Sequence, residues 1–192
     1  MKKVVWISLA MLCIVFISKA QDKKISIGLG FGGASVSAEQ NGVQGSGVGI
    51  NYYLNGMYNV TSNISAGLEY NSSGAVVVFD GGNSDGLKVT GVTGILAKGK
   101  YTFGDGGVKP FGGLALGMYT LTPPEVTLNG VVQPTGDKKT NIGFAPEVGV
   151  QFGSFQIAAS YHFPGTSAVN SGEVTYKLLQ FNIGWNIGLI DN

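Results

Sequence analysis

For most of its length this chain sets apolar residues at every second position, which is the period of a β-strand and not of a helix. Eight such runs stand between stretches of turn chemistry. The first, roughly 24–35, opposes Ile25, Ile27, Leu29 and Phe31 to Ser26, Gly28 and Gly30. The second, about 47–59, opposes Val48, Ile50, Tyr52, Leu54 and Tyr58 to Gly49, Asn51 and Asn55. In the third, Ile64, Ala66, Leu68 and Tyr70 alternate with Ser65, Gly67, Glu69 and Asn71. The fourth, 87–103, gives Val89, Ile95, Tyr101 and Phe103 one parity, and Lys88, Lys98, Lys100 and Thr102 the other. The sixth, 140–152, places Ile142, Phe144, Val148, Val150 and Phe152 against Gly143, Glu147, Gly149 and Gln151. The seventh places Phe155, Ile157, Ala159, Tyr161 and Phe163 against Gln156, Ser160 and His162. The last places Leu179, Phe181, Ile183, Trp185 and Ile187 against Gln180, Asn182, Gly184 and Asn186. The fifth, 109–121, is apolar on both parities, with Phe111, Tyr119 and Leu121 on one and Leu114, Leu116 and Met118 on the other. Its facing stays open.

A soluble two-sheet sandwich would alternate in the same way, but its outer face should carry far more charge. Here only 12% of residues are charged, while 10% are aromatic. Lipid is the solvent that such an outer face suits. In lipid every edge N–H and C=O must find a partner within the protein, and only a closed sheet provides that. Each run is about as long as the roughly 9–11 residues that a tilted strand needs to cross hydrocarbon. The joints near 61–63, 104–108 and 153–154 are short, whereas those near 36–46, 72–86, 122–139 and 164–174 are long. Short periplasmic turns and long outer loops alternate in this way, and aromatic residues at strand ends fit interfacial girdles. The expected fold is all-β, an eight-stranded antiparallel up-and-down transmembrane β-barrel with both termini in the periplasm.

Residues 1–20 are expected to be a signal peptide and 21–192 the outer-membrane barrel domain. Lys2 and Lys3 precede a nearly unbroken apolar run from Val4 to Ile17, and Ser18-Lys19-Ala20 offers a cleavage site before Gln21. The run is shorter than the ~20 residues of a spanning helix. Cys13, the one cysteine, lies inside it behind Leu12, which does not make a lipoprotein signal, so the mature chain has neither disulfides nor thiol ligands. Every basic residue is lysine. Beyond Lys19 the lysines are outnumbered by the 11 acids, so no basic patch awaits nucleic acid.

The segments Pro110-Phe111-Gly112-Gly113-Leu114-Ala115-Leu116-Gly117-Met118-Tyr119 and Gly143-Phe144-Ala145-Pro146-Glu147-Val148-Gly149-Val150 look like strands of small outer-membrane barrels. The chain as a whole resembles the OmpA/OmpX/OmpW-like porin-family barrels common in Bacteroidetes. The resemblance implies an architecture and an outer-membrane location, not an activity. It departs at the C-terminus, where Gly188-Leu189-Ile190-Asp191-Asn192 replaces the usual final aromatic residue.

Gly28-Leu29-Gly30-Phe31-Gly32-Gly33 matches a dinucleotide fingerprint in spelling, but no helix is expected after it to meet a pyrophosphate. Glycines on the inner wall of a narrow barrel explain it better, and no cofactor is expected. The parities direct Glu69, Lys98, Lys100 and Glu147 inward near mid-depth, as a lumen network in which opposite charges pair. His162, the one histidine, is expected near the outer rim with Ser160 on the same face. Serine and histidine recur in lipid A deacylases on small barrels, but those enzymes place them toward lipid, and no acid here has a suitable spacing. Glu125 to Gln133 reads as strand, Asn129-Gly130 turn and strand, a hairpin within the 122–139 loop that could meet a surface ligand. The function expected is structural or surface-interacting, with outer-membrane lipid as partner and no catalysis. A narrow conduit for small or apolar solutes and a lipid-modifying enzyme are the alternatives.

Overall fold

A computed structural model describes residues 23–40, 43–79, 88–122, 125–128, 131–134, 137–169 and 172–191. The expected signal peptide and Cys13 lie outside these residues. The strands in chain order are β1 (Lys23–Gln40), β2 (Val43–Asn59), β3 (Ile64–Phe79), β4 (Lys88–Thr102), β5 (Val108–Thr122), β6 (Glu125–Leu128), β7 (Val131–Pro134), β8 (Lys139–Phe152), β9 (Phe155–Val169) and β10 (Gly172–Asp191). Among the described residues, eight of them close into an antiparallel barrel in the order β1-β10-β9-β8-β5-β4-β3-β2. Pairs such as Leu29 with Trp185 and Phe31 with Ile183 close it, joining the first strand to the last. No barrel strand is left with a free edge.

At one end the strands are joined by tight turns. Val60 and Thr61 donate backbone hydrogen bonds to the Ile64 carbonyl, at 2.9 and 3.1 Å. Gly104 and Gly153 adopt φ of 74° and 57° in the other two turns, a region that L side chains avoid. At the other end the structure departs from the sequence reading. The stretches expected as loops at 36–46, 72–86 and 164–174 are mostly strand: β1 continues to Gln40, β2 begins at Val43, β3 reaches Phe79 and β9 reaches Val169. Within 122–139, β6 and β7 pair antiparallel from Glu125–Pro134 to Leu128–Val131, forming the expected hairpin around residues 129–130, which are not among those described.

The longer strands carry a swap in polarity. Along the lower part of β1, toward the tight turns, Ile27, Leu29 and Phe31 face outward and Ser26, Gly28 and Gly30 face inward. Farther up, Ser35, Ser37 and Glu39 face outward and Ala34, Val36 and Ala38 inward. β10 repeats this in reverse: Glu173 and Lys177 outside over Val174, Tyr176 and Leu178 inside, then Phe181 and Ile183 outside over Gln180, Asn182 and Asn186 inside. The 18 residues of β1 rise about 3.3 Å each. Tilted about 40°, such a strand spans roughly 45 Å of height, against an apolar band about 25 Å tall in outer-membrane barrels.

The upper lumen is filled by a plug of apolar side chains. Val36, Leu96, Tyr119, Leu121 and Leu178 are each no more than 1% exposed and belong to one cluster with Val92, Val174 and Tyr176. This resolves the fifth run: Phe111, Tyr119 and Leu121 point inward, and Leu114, Leu116 and Met118 point outward. The wall makes room for its larger rings with glycine. A Cβ at Gly143 would come within 2.7 Å of the Tyr119 ring, and one at Gly149 within 2.5 Å of Phe111. Gly28 to Gly33 lies within β1, which continues as strand to Gln40.

Candidate functional site in the barrel lumen

Below the plug the lumen is polar and layered. Its centre is an ion cluster: the Lys98 ammonium lies 2.6 Å from Glu69 Oε2 and 2.8 Å from Glu147 Oε2. The three side chains come from β3, β4 and β8, and each is at least nine-tenths buried. Two carboxylates on one cation leave an excess negative charge, and the low dielectric of the site makes each partner costly to remove. Lys98 also lies 5.7 Å from the centre of the Tyr53 ring.

Amide side chains crowd the wall at this depth. Gln180 on β10 donates to Ser73 Oγ at 2.8 Å and to Asn71 Oδ1 at 3.2 Å on β3, across the lumen. The Asn51 amide on β2 lies 3.0 Å from Gln180 Oε1 and also contacts Asn182. Nearer the tight turns, Gln156 donates to the Tyr53 hydroxyl at 2.6 Å, and Asn186 donates to Gln156 Oε1 at 2.8 Å. Asn55 Oδ1 and Glu147 Oε1 have no hydrogen-bond partner among the described residues. Both residues line a void of about 10 Å³. That is the space of one water.

Lys100 is separate from the ion cluster. Its ammonium donates to Gln151 Oε1 at 3.1 Å and lies 5.1 Å from the centre of the Phe111 ring. Gln151 is itself fixed by a 2.9 Å hydrogen bond to the Gly153 carbonyl. Lys100 and Lys109 open onto a polar cavity of about 40 Å³ at the tight-turn mouth.

His162 is not at the rim, because β9 continues above it to Val169. It is 2% exposed and sits at the base of the plug, in register with Leu178. Its Nδ1 lies 2.8 Å from the Tyr119 hydroxyl and its Nε2 lies 2.9 Å from Ser160 Oγ. Among the described residues no carboxylate hydrogen-bonds this imidazole, and none form a group of three or more metal-ligating side chains. Serine and histidine are thus held together in the wall, closed off from lipid and solvent.

Of the residues selected from sequence, Glu69, Lys98 and Glu147 come together, while Lys100 and His162 stand in layers on either side of them. Sequence reading missed Tyr53, Tyr119, Gln180 and Lys109. Tyr119 and Lys109 share the inward parity of β5, which double-sided hydrophobicity had hidden. Gln180 already stood on the polar parity of its run without being selected, and Tyr53 could have been found from the parity of its own.

No protein-family model matches the sequence, and no curated protein matches it. Solved structures do. Neisserial surface protein A superposes with a TM-score of 0.61 at 17% identity, over 86% of this chain and 97% of that one. The fold is that of the small outer-membrane barrels. The outer-membrane protein OprG from Pseudomonas aeruginosa also matches, with a TM-score of 0.50 at 12% identity over 88% of this chain and 99% of that one. At such identities the likeness concerns the fold alone.

Proposed function

We propose that this protein is an integral outer-membrane barrel with a structural or surface-interaction role, a closed lumen and no catalytic activity. The observation that carries this reading is the polarity swap on β1 and β10. Below it the barrel is built for lipid outside, and above it for water outside. The tight turns then face the periplasm, and the upper strands with the β6–β7 hairpin stand above the outer leaflet. Two sets of aromatic contacts support the placement of the band. Phe155 and Trp185 (5.5 Å) with Tyr101 and Phe103 (4.8 Å) mark the turn side. Phe144 with Phe163 (4.5 Å) and Tyr52 with Tyr70 (6.2 Å) mark the other. Outer-membrane lipid is the partner of the band, and a surface ligand would meet the upper strands and the 122–139 segment.

The closed lumen is supported by the plug, in which Leu96, Leu121 and Leu178 lie buried among other apolar side chains. The absence of catalysis is supported by the burial of His162 and Ser160 beneath that plug. Planar-bilayer recording tests both the closed lumen and the conduit alternative. The purified protein is expected to insert without unitary current steps. Steps that disappear on enlarging a plug side chain, as in Ala115→Phe, would assign a conduit instead.

A further inference from the structure

We propose that the tight-turn mouth of the barrel is a binding site for a small oxyanion, a carboxylate or a phosphate group. The cavity there is lined by Ser26, Ser65, Thr102, Lys100 and Lys109, with Asn186 and Gln151 among the remaining walls. Among the described residues no acidic side chain lines it. Among the described residues neither Lys100 nor Lys109 has a carboxylate within the 4.0 Å of an ion pair. The Ser26 and Thr102 hydroxyls, on residues 9% and 8% exposed, have no hydrogen-bond partner among the described residues either. Two cations and two hydroxyl donors without an acceptor therefore converge on one space.

The charge count of the lumen favours the same occupant. Below the plug, the described inward-facing charges are Lys98, Lys100 and Lys109 against Glu69 and Glu147. The one excess negative charge of the Lys98 cluster offsets only one of Lys100 and Lys109, so a net positive charge is left toward the mouth. An uncompensated charge inside a narrow barrel is expensive, and a bound anion relieves it through charge-assisted hydrogen bonds. Lys100 is already oriented for this. Gln151 accepts one of its three protons and the face of Phe111 supports the ammonium, leaving protons for a ligand. A cavity of about 40 Å³ holds roughly three waters, which suits a carboxylate or phosphate group, free or at the tip of a larger molecule. The site stands on lumen geometry alone, and only its compartment, the periplasm, depends on the orientation proposed above.

Amide NMR of the detergent-solubilised protein tests this by titration with inorganic phosphate and with acetate, using chloride at matched ionic strength as the control. Saturable shifts centred on Ser26, Ser65 and Thr102 are expected with at least one oxyanion and not with chloride. Phosphate alone, acetate alone or both would assign the ligand chemistry. Lys109→Gln, at the open mouth, should weaken binding at least tenfold while the rest of the spectrum is retained, and Lys100→Met should abolish it. Shifts that do not saturate, that chloride reproduces, or that persist unchanged in Lys109→Gln would overturn the proposal. A barrel that fails to insert in membranes yet still binds would refute the orientation and leave the site standing.

Discussion

Phe31 and Val36 lie on the same strand, yet Phe31 is turned outward and 57% exposed while Val36 points to the barrel axis and is 1% exposed. Between them the apolar side of β1 changes from the outer to the inner face, with regular pairing to β2 throughout. One strand thus serves two solvents.

That swap sets the tolerance to charge along β1 and β10. Phe181→Lys puts an ammonium into the apolar band and is expected to cost about 2–4 kcal/mol near the mid-plane. Ser37→Glu, on the outward face above the band and opposite Lys177, should cost no more than about 0.5 kcal/mol. Urea unfolding in lipid vesicles measures both. Equal losses at the two positions would contradict the placement of the band.

The swap also explains what the sequence hid. Up to Phe31 the odd positions are apolar, and from Ala34 onward the even ones are. A reader following hydrophobicity sees the alternation lose phase near Gly32-Gly33 and ends the strand there, which is why 36–46, 72–86 and 164–174 read as loops. The backbone keeps its period, and only the identity of the apolar face changes. In β5 the two regimes overlap, and the run looks apolar on both sides. The remaining faces were legible because one solvent governs each of them over most of its length. Of the lumen chemistry, the charged residues could be read from parity, since charge is so scarce. Their separation into layers could not, because it depends on the cross-barrel neighbours of Glu147 on β8 and of Gln180 on β10.

Lys98 holds two carboxylates that no other described cation pairs with. Lys98→Met leaves both buried without a counter-charge and is expected to destabilise the barrel by about 3–5 kcal/mol. Adding Glu69→Gln and Glu147→Gln to that variant removes the stranded charges and should restore most of the loss. Equilibrium unfolding of the single and triple variants decides between a charge effect and simple loss of packing, because packing loss would not be restored.

Gly67 on β3 pairs with Met57 on β2 and Gly56 with Leu68, and the two glycines differ in what surrounds them. A Cβ at Gly67 would run into the Gly56 carbonyl oxygen and come within 2.9 Å of the Met57 Cα, whereas one at Gly56 meets nothing within 4 Å. Gly67→Ala is therefore expected to cost about 1–3 kcal/mol by overpacking against backbone, which cannot yield as a side chain does. Gly56→Ala should stay within about 0.5 kcal/mol. Chemical denaturation of the two variants in parallel checks the difference.

The most direct test is whether the outward band meets lipid. Trp6 and Trp185 are the two tryptophans, so Trp6→Phe leaves Trp185, on the outer face between Phe31 and Phe155, as the reporter. Its fluorescence should be quenched in vesicles of brominated lipid, most strongly with bromine near the headgroup, and little by acrylamide in water. Emission that ignores brominated lipid and is quenched freely by acrylamide would contradict a membrane-spanning barrel.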